Sequence, residues 1–115
     1  MLRITTWRIT GTPRADVTPQ MGLQAFQEAC SALEKINGVG RVRFFLGNNG
    51  IVTVGEPENY AAADNILKSK DAQIAVGKVL SLGYGIVEDQ FLLEPAQVIP
   101  FTEAVGAVPA GLSRN

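Results

Sequence analysis

A four-residue turn, Gly47-Asn48-Asn49-Gly50, joins two short runs of β-forming residues, Arg41–Leu46 and Ile51–Val54. Asn and Gly tolerate positive φ at low cost, so the pattern predicts a tight β-hairpin. A hairpin in the middle of the chain constrains both flanks, because each must pack against the same two antiparallel strands. On either side lies a segment with helical periodicity, and beyond each helix lies another strand-like segment. The order is β-α-β-β-α-β. It restricts the fold and names no reaction.

The outer elements follow the same logic. Leu2–Thr10 reads as a first strand with Ile4, Trp7 and Ile9 as its apolar members, ended by Gly11-Thr12-Pro13. Thr18-Pro19 starts a helix, since a hydroxyl can cap the first turn and proline suits the first helical position. Gly22, Phe26, Ala29, Cys30, Leu33 and Ile36 recur at three- and four-residue steps along it, and Asn37-Gly38 supplies a left-handed stop. In strand two, Val42, Phe44 and Leu46 share one face and Arg41, Arg43 and Phe45 the other. Glu56-Pro57-Glu58 opens a second helical region, interrupted at Lys68-Ser69-Lys70-Asp71 and ending at Gly83. Its apolar members are Tyr60, Ala63, Ile66 and Leu67, then Ile74, Ala75, Val79 and Leu82. Strand four runs from Tyr84 to about Leu93. The face holding Val87, Asp89, Phe91 and Leu93 is the more apolar and is assigned to the helix side.

A chain of 115 residues fits one domain with a core of ordinary size, expected over residues 1–95. Residues 96–115 form a proline-containing tail whose first half, with Val98, Ile99 and Phe101, carries enough apolar material to pack. Ten basic residues against eleven acidic ones leave no basic stripe, which argues against a nucleic-acid partner. No apolar run approaches the roughly 18 residues that span a bilayer, and the N-terminus lacks a signal-peptide core. A cytoplasmic protein without a membrane partner is expected. Histidine is absent, which removes a Ser-His-Asp triad, a His-based metal site and a proximal-His haem. No carboxylate-rich calcium loop is present either, so neither metal nor cofactor is expected. Cys30, the only cysteine, is read as a buried filler rather than a reactive thiol.

The chain resembles the ferredoxin-like domains of the dimeric α/β-barrel superfamily over roughly residues 2–94. The resemblance rests on Thr18-Pro19, on Asn37-Gly38-Val39-Gly40-Arg41-Val42, on the Gly47–Gly50 turn, and on the segment Ala62–Gln73, where a short helix and a capped restart precede the closing strand. It implies an α+β fold: a four-stranded antiparallel sheet with helices on one face. It also implies that two protomers pair their open faces into a barrel, each keeping a cavity between sheet and helices. A homodimer is therefore expected, and exposure of Phe45 and its aliphatic neighbours on a bare sheet gives a physical reason for it. The superfamily includes cofactor-free monooxygenases, isomerases, haem-dependent enzymes and proteins without a known role.

The candidate site residues each carry a plainer reading. Trp7 could line a cavity for an aromatic ligand or anchor the core or an interface. Tyr60 and Tyr84 could present phenolic hydroxyls or simply pack. Arg43, with Arg41, could hold an anion or guard an edge strand. Glu88 and Asp89, read as carboxylates on a central strand, could be bases poised by burial or partners of Arg3 or Arg8. Being adjacent on a strand, the two acids face opposite ways and cannot form a dyad. The leading expectation is a dimeric barrel that binds a small molecule, an aromatic one among the candidates, through Trp7, Arg43, Tyr60 and Tyr84. The alternative is a metal- and haem-independent monooxygenase or isomerase with Glu88 or Tyr84 in the chemistry.

Overall fold

The computed structural model describes residues 1–12 and 14–95; the tail expected over residues 96–115 lies outside them. The elements are β1 (Leu2–Ile9), α1 (Pro19–Glu34), β2 (Val42–Gly47), β3 (Gly50–Gly55), α2 (Tyr60–Asp64), a 3₁₀ turn (Asn65–Lys68), α3 (Lys70–Ser81) and β4 (Tyr84–Leu92). The four strands form one antiparallel sheet in the order β2-β3-β1-β4. This is the βαββαβ arrangement expected from the order of patterns. β2 and β4 are the two edges, so Glu88 and Asp89 stand on an edge strand and not on a central one.

Local chemistry explains the boundaries. Thr18 accepts from the Met21 backbone N–H, with Pro19 at the first helical position. Asn59 caps α2 by accepting from Ala62 N–H, so the helix opens after the Glu56-Pro57-Glu58 stretch rather than within it. Ser69 caps α3 through Ala72 N–H, at the interruption seen in the pattern. The first helix stops at Glu34, two residues before Ile36, and the chain then turns through Gly38 at φ +82°. Gly40, at φ +75°, lies so close to the Glu56 carbonyl that no side chain fits there. The hairpin forms with Gly47 opposite Gly50, yet no described non-glycine residue has positive φ. Asn48 and Asn49 therefore do not supply the left-handed conformation that their identity suggested. Gly50 takes it, at φ +138°, because its backbone runs against the Trp7 carbonyl.

The helices cover one face of the sheet. Phe26 of α1 is 1 % exposed and gathers Trp7, Phe44 and Tyr84 around it, with ring centroids 5.6, 6.1 and 5.1 Å away. The Trp7 and Tyr84 pairs are edge-to-face, and pairs of this kind contribute about 0.5–1.5 kcal/mol each beyond area burial. Ala25, Ala29, Ala75 and Val79 complete this core, and Cys30, Val39 and Val42 form a second cluster beside it. Along α3 the buried residues are Ala72, Ala75 and Val79, while Ile74 points outward and is exposed.

β4 changes face partway along. Asp89 pairs with Thr5 and Glu88 with Thr6, but Trp7 pairs with Ile86, leaving Val87 as the extra residue of a β-bulge. A bulge inserts one residue and so inverts the alternation beyond it. Asp89 and Phe91 face the helices as expected, and past the bulge Ile86 and Tyr84 do so in place of Val87. No helix among the described residues is long and apolar enough to cross a membrane.

Candidate functional site

A cavity of about 150 Å³ lies between the sheet and the helices. Its floor is the middle of β1 and β3, where Arg3, Thr5 and Trp7 alternate onto the helix face beside Thr53 and Gly55. Leu33 of α1, Val39 and Val42, Ala63 and Ile66 of the α2 region, and Val76 of α3 make its walls and roof. Those walls are apolar; the polar atoms are gathered on the floor.

The floor is a connected set of hydrogen bonds. The Trp7 indole Nε1–H donates to Thr53 Oγ1 at 3.0 Å. Thr5 Oγ1 donates to Asp89 Oδ1 at 2.8 Å. Arg3 holds the same carboxylate with two bonds, Nε to Oδ1 at 3.2 Å and Nη2 to Oδ2 at 2.9 Å. Thr5 pairs with Thr53 on one side and with Asp89 on the other, so all three lie in one row across the sheet. The hydrogen bonds from Arg3 hold the Asp89 carboxyl below its ordinary value; partial burial opposes this, and the Thr5 bond and the charge of Arg3 reinforce it. Asp89 is thus an anion at neutral pH and a weak base. Its pairing with Arg3 is the plainer of the two readings open to it.

At the rim, Arg3 and Asp89 keep 30 % of their side-chain surface exposed. The Arg3 guanidinium lies 5.1 Å from the Phe91 ring centroid, and the Tyr60 ring centroid lies 5.0 Å from the same ring. Tyr60 is therefore a rim residue beside the cavity and does not line it.

The remaining candidates are placed as follows. Trp7 lines the cavity. Tyr84 packs edge-on against Phe26, its hydroxyl close to Gly22, where an added Cβ would lie 2.5 Å away. Arg43 and Glu88 stand on the sheet face turned away from the helices, Arg43 in register with Val54 and Glu88 with Thr6. Glu88 accepts a hydrogen bond from Gln90, and Arg43 lies over the Phe45 ring at 5.5 Å. Within one subunit neither shares the cavity with Trp7. The residues that the sequence reading passed over are Thr5 and Thr53. Their signal is a threonine in the middle of each of two strands, and it becomes meaningful only once strand register puts them side by side.

No family model and no curated protein sequence matches the chain. Solved structures do. One is a dimeric ferredoxin-like protein of unknown function from Jannaschia sp. CCS1, 12 % identical, with a TM-score of 0.60 over 80 % of this chain and 100 % of that one. A second, a dimeric protein of unknown function and ferredoxin-like fold from Bacteroides fragilis, is 19 % identical, with a TM-score of 0.53 over 79 % of this chain and 94 % of that one. A third is SnoaB, a cofactor-independent oxygenase from Streptomyces nogalater, 12 % identical, with a TM-score of 0.56 over 80 % and 94 % of the two chains. At these identities the likeness is one of fold, and the fold is ferredoxin-like.

Proposed function

We propose that this protein is a homodimer whose subunits each hold a small, largely apolar molecule in the cavity between sheet and helices. The observation that carries the binding reading is the composition of the cavity: apolar walls over a short row of polar groups. Binding sites for small molecules combine those two features, the walls giving affinity and the few polar atoms giving orientation. A volume near 150 Å³ suits a molecule of about one ring, the size taken up by cavities of this volume.

The dimer rests on the other face of the sheet. Ile4, Val52 and Val54 form an apolar strip there, with Phe45 49 % exposed and Leu92 42 % exposed at its margins. The Arg43 Nε on this face is buried and has no hydrogen-bond partner among the described residues. Arg43 belongs to one edge strand and Glu88 to the other, so the face is self-complementary in charge as a two-fold interface requires. Two of the structural neighbours are described as dimeric.

Crystals soaked with a panel of single-ring compounds test the binding reading. A compound seated against Trp7 in the wild type, and absent from a Val76→Phe variant that fills the space, is the expected result. Cavities that stay free of every compound would contradict it. A second reading, cofactor-independent oxygenation of the bound molecule, is supported by the fold likeness to SnoaB and by the position of Trp7 in the cavity. Oxygen uptake on adding a compound that binds would support it, and binding without uptake would leave the protein as a binding module.

A further inference from the structure

The hydrogen bonds on the cavity floor have fixed directions. An indole N–H only donates, so Thr53 must accept from Trp7, and its own O–H is left to donate elsewhere. An ionised carboxylate only accepts, so Thr5 must donate to Asp89, and its oxygen is left to accept. No described residue takes up either capacity. One free donor and one free acceptor therefore stand side by side on the floor of an otherwise apolar cavity. Residues directly opposite in an antiparallel pair have Cβ atoms about 4.5–5.5 Å apart. A ligand oxygen that bridges these two cross-strand neighbours would lie about 2.7–2.8 Å from each hydroxyl.

We propose that the ligand is an uncharged, single-ring molecule bearing a hydroxyl group, which accepts from Thr53 and donates to Thr5. The ligand's oxygen closes a one-way chain: Trp7 N–H to Thr53 O–H to ligand O–H to Thr5 O–H to the Asp89 carboxylate. An ether or a ketone of the same shape satisfies only the Thr53 half. An anionic ligand, a carboxylate or a phenolate, leaves Thr5 facing a second acceptor, and the nearby cation Arg3 is already engaged with Asp89 through two bonds. The site thus selects by hydrogen-bond direction as well as by size.

This inference rests on the cavity being a binding site, and one titration series separates the two. Trp7 is the only tryptophan, so its emission reports occupancy of the cavity directly. The probes are p-cresol, its methyl ether 4-methylanisole, and toluene, added to wild type, Thr5→Val and Thr5→Ser. We expect p-cresol to bind roughly 3–10-fold more tightly than the ether or toluene, as one net neutral hydrogen bond allows. The preference for p-cresol over the ether should vanish in Thr5→Val, which removes the acceptor that only a hydroxyl can use, and return in Thr5→Ser. Taking the ratio of two probes on the same variant cancels any general loosening caused by depriving the Asp89 carboxylate of its Thr5 donor. Equal affinities for all three probes, or a preference for p-cresol over the ether that survives Thr5→Val, would overturn the hydroxyl assignment while leaving the cavity a binding site. No response to any probe would overturn both.

Discussion

Asp89 is the residue at which the charge balance of the site is decided. Arg3 holds its carboxyl below the ordinary 3.8, so its pKa in the folded protein is lower than in the unfolded chain. A group shifted in that direction contributes stability that is complete above the unfolded value and is lost as pH falls through the folded one. The stability difference between wild type and Asp89→Asn, measured by chemical denaturation, should therefore hold steady from neutral pH into the weakly acidic range and close below pH 3.8. A gap unchanged at still lower pH would contradict this assignment. Cys30 gives a second test at the same scale. Burial, with the charge of Glu34 adding to it, pushes the thiol up to about 11. Its modification by a thiol reagent at neutral pH should occur only at the rate of unfolding; rapid labelling of the native protein would count against a buried filler. The burial of Cys30 was legible from local pattern, and an arginine partner for an acid of β4 from residue types. Which of Arg3 and Arg8 meets which of Glu88 and Asp89 waits on strand register. The pairing of Thr5 with Thr53 was not legible, since it depends on how β1 registers against β3, strands separated by a helix.

At the scale of elements, sequence and structure agree wherever local chemistry decides. Thr18-Pro19 and Ser69 mark helix starts because caps use side chains already present at those positions, whereas the first helix stops at Glu34, short of the left-handed turn at Gly38. The disagreements arise where neighbours decide. The bulge at Val87 inverts half of β4, and alternation alone cannot reveal an inserted residue. The hairpin turns through ordinary backbone at Asn48 and Asn49, with Gly50 made necessary by the Trp7 carbonyl next to it. Two substitutions probe these elements by chemical denaturation. Phe26→Ala, at the centre of the aromatic cluster, should cost about 3–5 kcal/mol. Gly40→Ala should cost about 1–3 kcal/mol, from positive φ and the approach of the Glu56 carbonyl. A loss well under 1 kcal/mol at Phe26 would mean that the cluster is not the centre of the core.

On the scale of the whole molecule, one sheet has two unlike faces. The helices close the first around a cavity, and the second carries an apolar strip with charges of opposite sign at its two edges. Pairing of two such faces was expected from the resemblance to dimeric α/β barrels, with the exposure of Phe45 and its aliphatic neighbours on a bare sheet as the physical reason. The chemistry of the cavity was less legible, because a cavity is made by what adjoining elements leave unfilled. If the second face is a dimer interface, Phe45→Glu puts two additional charges into it and should yield monomers that keep the wild-type circular dichroism. The most direct measurement is the mass of the wild-type protein by light scattering on a sizing column at micromolar concentration. Two faces that meet predict twice the chain mass of 12.3 kDa, whereas a single species at 12.3 kDa would contradict the paired sheet.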